Sequence, residues 1–175
     1  MEIITDLKII QLHAIEKENV NDQFISFLKG QPADEIDHQV HGLSAGMTLQ
    51  IDCTQCGNCC RSLMIQVNEQ EITQLSVRLN MSEETFTDQY VEKGMGAQMI
   101  MNTIPCHFLE DNKCLVYEDR FSGCREFPAL HLPQVTSRLF TIFMHYGRCP
   151  IIYNVMEALK ERLNFNSAEV VLSDH

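Results

Sequence analysis

Apolar residues recur at loosely helical spacing near the start of the chain. Ile4, Leu7, Ile10, Ile15, Phe24, Ile25 and Leu28 fall close to the three- and four-residue steps of a helix face. Gly30 followed by Pro32 ends that run, and a break is expected near Asn19–Asn21. The next stretch, Gln31–Met47, carries Pro32, Gly42 and Gly46 among polar residues and reads as a linker. Beyond it the apolar runs shorten. Leu63–Val67, Met99–Ile104, Cys114–Tyr117 and Leu139–His145 have strand length. Between them, Asn68 stands three residues before Glu71, the signature of a capping box, so a helix is predicted over Glu69–Leu79. Ser82, with Glu83 and Glu84 behind it, opens a further helix ending at Gly94. Pro150 precedes the first turn of a last helix, Ile151–Leu163, and the tail from Asn164 to His175 takes no assignment.

Short strands and helices are mixed, with no internal repeat and no low-complexity segment, so the expected class is α+β. The expected organisation is a helical extension and linker over 1–45, a cysteine-cluster domain over 46–152, and a C-terminal helix and tail over 153–175.

Length and charge narrow the function. A chain of 175 residues buries about 70% of the surface its unfolded form exposes, so it needs no disulfides merely to fold. Nine Met and no Trp point to a core filled by adaptable side chains. A net charge of −11 argues against a nucleic-acid partner, which needs a basic face, and against a polybasic membrane anchor. The opening MEIITDLKII lacks the basic start and long apolar stretch of a signal peptide. No run approaches the ~18 apolar residues of a membrane span. A cytoplasmic location is therefore expected, where clustered cysteines hold metal or do redox work more often than they form structural disulfides.

All eight cysteines lie between positions 53 and 149. Cys53, Cys56, Cys59 and Cys60 form a CxxCxxCC run; Cys106, Cys114, Cys124 and Cys149 follow at a distance. A two-residue gap lets a tight turn aim two thiolates at one ion, with backbone N–H groups free to bond the sulfurs. Two successive gaps can also set three sulfurs around one iron–sulfur cubane. Cys149–Pro150 has the Cys-Pro form that closes such runs. Cys59 and Cys60 are expected to diverge, and either to serve different centres or to have one as a ligand and the other not. One partition gives Cys53, Cys56, Cys59 and a remote cysteine to a first site, and Cys60 with the other three to a second. Arg61, Lys113, Arg125 and Arg148 each adjoin a cysteine in sequence, and cations there lower thiol pKa values and offset cluster charge. At least one of these arginines is expected to reach a cysteine sulfur or an adjacent carbonyl. His107, His131 and His145 are further donor candidates, and Tyr117 and Tyr146 lie near cysteines.

Four segments together resemble the CxxCxxCC cysteine-cluster family of zinc- or iron-chelating domains. They are CTQCGNCC at 53–60, CHFLEDNKCLVYEDR at 106–120, CREFP at 124–128 and RCP at 148–150. The resemblance covers about residues 50–152 and implies metal chelation by the eight cysteines. The family also includes flagellin lysine N-methylases. One departure is visible: Phe121 follows Arg120 where the family usually has proline.

The cofactor expected is zinc or iron, the latter as an iron–sulfur cluster. Three functions follow: an iron–sulfur protein in electron transfer or in cluster-assisted catalysis such as methyl transfer to a protein lysine; a zinc-stabilised module that binds a protein or other macromolecular partner; and metal storage or delivery. No Gly-rich phosphate loop precedes a helix, and no Ser-His-Asp or paired-carboxylate arrangement can be picked out.

Overall fold

The computed structural model describes residues 2–166; the remaining tail, and with it most of the unassigned stretch 164–175, lies outside the described residues. The chain divides into two compact units. One is built from Met1–Asp52 and Pro128–His175, and the other, Cys53–Phe127, is inserted between those two segments in sequence. The inserted unit is narrower than the cysteine domain expected over 46–152.

The first unit is helical. It comprises α1 (Leu7–Glu16), α2 (Glu18–Lys29) and α3 (Ala33–Thr48), and later in the chain α9 (Leu139–Met144) and α10 (Pro150–Arg162). Asp6 caps α1 by accepting from the Lys8 N–H at 2.8 Å. The expected break in the first helical stretch falls at Lys17. The expected linker is instead helix α3, because Ile36, Val40 and Ser44 recur every four residues and are buried. The strand expected at Leu139–His145 is instead helical, burying Leu139 and Ile142 three residues apart. Helix α10 packs on α3 and buries Pro150 to Met156 without interruption, so it is the central element of this unit.

One polar knot runs through that apolar interior. The Glu157 carboxylate accepts from Lys160 Nζ at 2.6 Å and from the Tyr146 hydroxyl at 2.8 Å, and it pairs with Lys17. Lys160 Nζ also donates to Asn21 Oδ1 at 2.6 Å. Burial pushes the Glu157 pKa up, but the hydrogen bonds and charges of Lys160 and Lys17 outweigh it and hold the carboxyl below its usual range.

The second unit is α+β, as is the chain as a whole. It contains α4 (Cys53–Cys56), α5 (Asn58–Ser62), β1 (Gln66–Val67), α6 (Glu69–Arg78), α7 (Glu83–Tyr90), β2 (Val91–Lys93), β3 (Met99–Met101), β4 (Leu109–Glu110), β5 (Lys113–Cys114) and α8 (Ser122–Glu126). The first three strands form an antiparallel sheet in the order β1-β3-β2, with Gln66 opposite Ile100 and Val91 opposite Met101. Strands β4 and β5 form a hairpin pairing Leu109 with Cys114. Its two-residue turn, Asp111–Asn112, has φ of 44° and 67°, the doubly positive backbone that asparagine and aspartate tolerate best after glycine. The predicted capping box is present: Asn68 Oδ1 accepts from the Glu71 N–H at 3.0 Å, and Glu71 Oε2 accepts from the Asn68 N–H at 2.9 Å. Leu75, Phe86, Phe108, Val116 and Phe121 lie at the apolar centre. Phe121 is 2% exposed and anchors the start of α8. No helix among the described residues is long and apolar enough to cross a membrane.

Candidate metal centre

Seven of the eight cysteines belong to the second unit. Cys53 and Cys56 sit on α4, Cys59 and Cys60 on α5, Cys106 before the hairpin, Cys114 on β5 and Cys124 on α8. Cys149 belongs to the helical unit, where it caps α10 and is buried. Cys56, Cys59, Cys60, Cys106, Cys114 and Cys124 are all thiols outside any disulfide.

The CxxCxxCC run is folded by one glycine. Gly57 joins α4 to α5 at φ 58°, in the left-handed region, and its N–H donates to the Cys53 carbonyl at 3.0 Å. The turn it makes is clamped from outside. Arg61 Nη1 donates to the Cys56 carbonyl at 2.7 Å while Nη2 donates to Asn112 Oδ1, and Asn112 Nδ2 reaches the Gln55 carbonyl at 3.4 Å. Arg61 thus holds a carbonyl beside a ligand candidate, as the sequence led us to expect, through a partner at the tip of the β4–β5 hairpin. The Cys106 N–H donates to the Cys60 carbonyl at 2.8 Å and ties the base of that hairpin to α5. Cys124 is placed through Glu71: the carboxylate that completes the capping box also accepts the Ser122 N–H at 2.6 Å, at the start of α8.

Cys59 and Cys60 converge. Their sulfurs lie 3.9 Å apart, where divergence was expected. The hydrogen bond from Cys60 is the main cause that lowers Cys59 to about 6; burial opposes it, and backbone N–H groups and the Arg61 charge assist. The same bond, with burial and the charges of Cys59, Cys124 and Cys106, pushes Cys60 far up. Burial, then the charges of Cys106, Cys59 and Cys114, pushes Cys124 up to about 12, with Arg120 opposing. Burial also raises Cys106 and Cys114, and in each case a backbone N–H two residues on, of Phe108 and of Val116, favours the thiolate in opposition. Every pair among Cys59, Cys60, Cys106 and Cys124 is therefore close enough for one charge to oppose ionisation of the other. Cys114 stands in the same field of Cys59, Cys106 and Cys124.

That donor set fits a thiophilic cation. Half-buried thiols whose charged forms repel one another are what a positive ion relieves, and the N–H groups two residues past Cys106 and Cys114 are ready to bond metal-bound sulfur. Zinc binds thiolates at ~2.3 Å, so two sulfurs of one tetrahedron stand about 3.8 Å apart, close to the Cys59–Cys60 separation. Among the described residues, no group of three His, Cys, Asp or Glu side chains is gathered closely enough to hold an ion as it stands.

The family description "CxxCxxCC: Putative zinc- or iron-chelating domain" matches this chain over residues 52–150. The chain belongs to the CxxCxxCC family. Its match takes in the whole second unit and runs on to Pro150. No curated protein and no solved structure matches the chain.

Within this CxxCxxCC chain, some residues around the cysteines could not be picked from sequence. Asn112 and Arg120 contribute through contacts that spacing does not announce; the Arg120 guanidinium lies 3.9 Å over the Tyr117 ring and favours ionised Cys114 and Cys124. Arg125 donates to the Arg120 carbonyl. Tyr146, His131 and His145 belong to the helical unit. His107 is exposed and bonds Asn102 Oδ1 at 2.8 Å.

The clamp gives a prediction. A Cβ at Gly57 would stand 3.0 Å from Asn112 Cα and 3.1 Å from Arg61 Nη1, on a backbone with φ +58°. Gly57→Ala should cost about 1–2 kcal/mol from the left-handed backbone alone, and it should loosen the clamp as well. Competition with a chromogenic chelator should show faster metal loss than from the parent. Equal rates would mean that the clamp does not hold the site.

Proposed function

We propose that the Cys53–Phe127 unit chelates one transition-metal ion, zinc, in a four-thiolate site built from Cys59, Cys60, Cys106 and Cys124, with Cys114 as a fifth thiol beside it. The observation that carries this reading is the 3.9 Å separation of the Cys59 and Cys60 sulfurs. In a cubane each cysteine ligates a different iron at a different corner, so two sulfurs at this separation suit a single ion better than a cluster. Tetrahedral coordination by four thiolates is the geometry zinc takes in structural sites. The role of the ion is then to fasten the segments that carry the cysteines in a unit with a small apolar core.

Cobalt substitution tests the reading. Protein reloaded with Co²⁺ should show strong visible ligand-field bands of tetrahedral geometry, together with thiolate charge-transfer absorption, and Zn²⁺ should displace both. A brown preparation containing acid-labile sulfide would overturn the single-ion reading and put an iron–sulfur cluster in its place.

A further inference from the structure

A cleft of about 390 Å³ opens on the second unit, and the metal centre does not use it. Its size is at the small end of ligand sites. Phe108 and Val116 supply a buried apolar floor, and Leu115, 56% exposed, stands at the rim. Arg78, Gln89, Tyr90 and His107 supply the polar part of the wall.

Arg78, His107 and Tyr90 are each oriented on one side and open on another. Arg78 Nε pairs with Asp119 Oδ2 at 3.3 Å, and its terminal nitrogens have no hydrogen-bond partner among the described residues. The pair is exposed, so it aims the guanidinium at small energetic cost to a competing ligand. The His107 ring meets the Tyr90 ring edge-on with centroids 5.0 Å apart, and its Nε2 bonds Asn102 Oδ1 at 2.8 Å, which leaves Nδ1 for another partner. Tyr90 is steadied by Phe108, with ring centroids 5.3 Å apart, and its hydroxyl makes no hydrogen bond among the described residues.

From these positions we infer that the cleft binds a small carboxylic acid with an aromatic or branched apolar body. The carboxylate lies across the open end of the Arg78 guanidinium, whose planar fork suits two parallel N–H···O bonds. The Tyr90 hydroxyl is a second donor to it. The apolar body rests on Phe108 and Val116 beneath Leu115. His107 follows Cys106 in sequence and Leu115 follows Cys114, so one wall of the cleft is the cysteine-bearing hairpin segment. The cleft itself stands whatever the identity of the metal.

The probe is 3-phenylpropionate, titrated into the protein carrying its own metal and followed by calorimetry and by shifts of the His107 ring resonances. Saturable binding of one molecule per chain is expected, with Arg78→Leu weakening it by at least about tenfold through loss of the charge-assisted pair. The neutral amide, 3-phenylpropionamide, should bind the parent protein weaker by a similar factor, and this comparison needs no variant to fold. No saturable binding below ~10 mM, a free energy of under about 3 kcal/mol, would overturn the inference. So would equal affinity for acid and amide, or an Arg78→Leu protein that folds and binds the acid as the parent does.

Discussion

Cys59→Ser protein is expected to purify nearly free of metal and to lose the cooperative unfolding of the Cys53–Phe127 unit. The Cys59 charge opposes ionisation of Cys60, Cys106, Cys114 and Cys124, so Cys59 acts on every other thiol of the proposed site. A structural zinc contributes on the order of 10 kcal/mol or more to the folding of a small domain. A unit of this size with a small apolar core has little else to offset that loss. Cys124→Ser should behave alike, since it removes a second member of the same four. Cys53→Ser is the contrast: Cys53 lies exposed on α4 and stands outside the proposed four. Metal analysis and thermal melts of the three variants order them. If Cys59→Ser holds metal as tightly as Cys53→Ser does, Cys59 is not the hub.

The second large effect belongs to the helical unit. Glu157→Gln should destabilise the protein by about 3 kcal/mol, because it leaves Lys160 buried without its counter-charge. Lys17 is more exposed and adds less. The pH dependence has a definite sign. The Glu157 carboxyl is held below its ordinary value of 4.5 in the folded chain. Its stabilisation is fully present above that value and disappears as the pH falls through the lowered, folded-state pKa. Urea unfolding from neutral to acid pH should show the parent losing this contribution and Glu157→Gln lacking it throughout. Parallel curves for the two proteins would remove Glu157 from the account.

Much of this was legible in the sequence for identifiable reasons. The capping box at Asn68 and Glu71 depends on residues three apart, so local spacing reveals it. The CxxCxxCC run announces thiolate chemistry in the same way. Helix α3 was hidden because Gly42 and Gly46 each cost a helix about 1 kcal/mol, whereas burial of Ile36, Val40 and Ser44 outweighs that cost only once a partner helix is present. Leu139–His145 is a short apolar run that suits strand or helix equally, and its three-residue burial step decided the matter. The short helix that carries Cys59 and Cys60, which Gly57 starts, is not specified by the CxxCxxCC letters alone. The clamp of Arg61 on Asn112 spans 51 residues, and no local pattern encodes a contact of that range.

Metal content tests most directly whether this chain carries a metal ion on its cysteine thiolates. Untagged protein purified anaerobically without added metal should contain about one zinc per chain by mass spectrometry, as a single four-thiolate site requires. Titration of the denatured, metal-stripped protein with a thiol reagent should find the cysteines reduced. A folded preparation with far less than one equivalent of any transition metal would contradict the account.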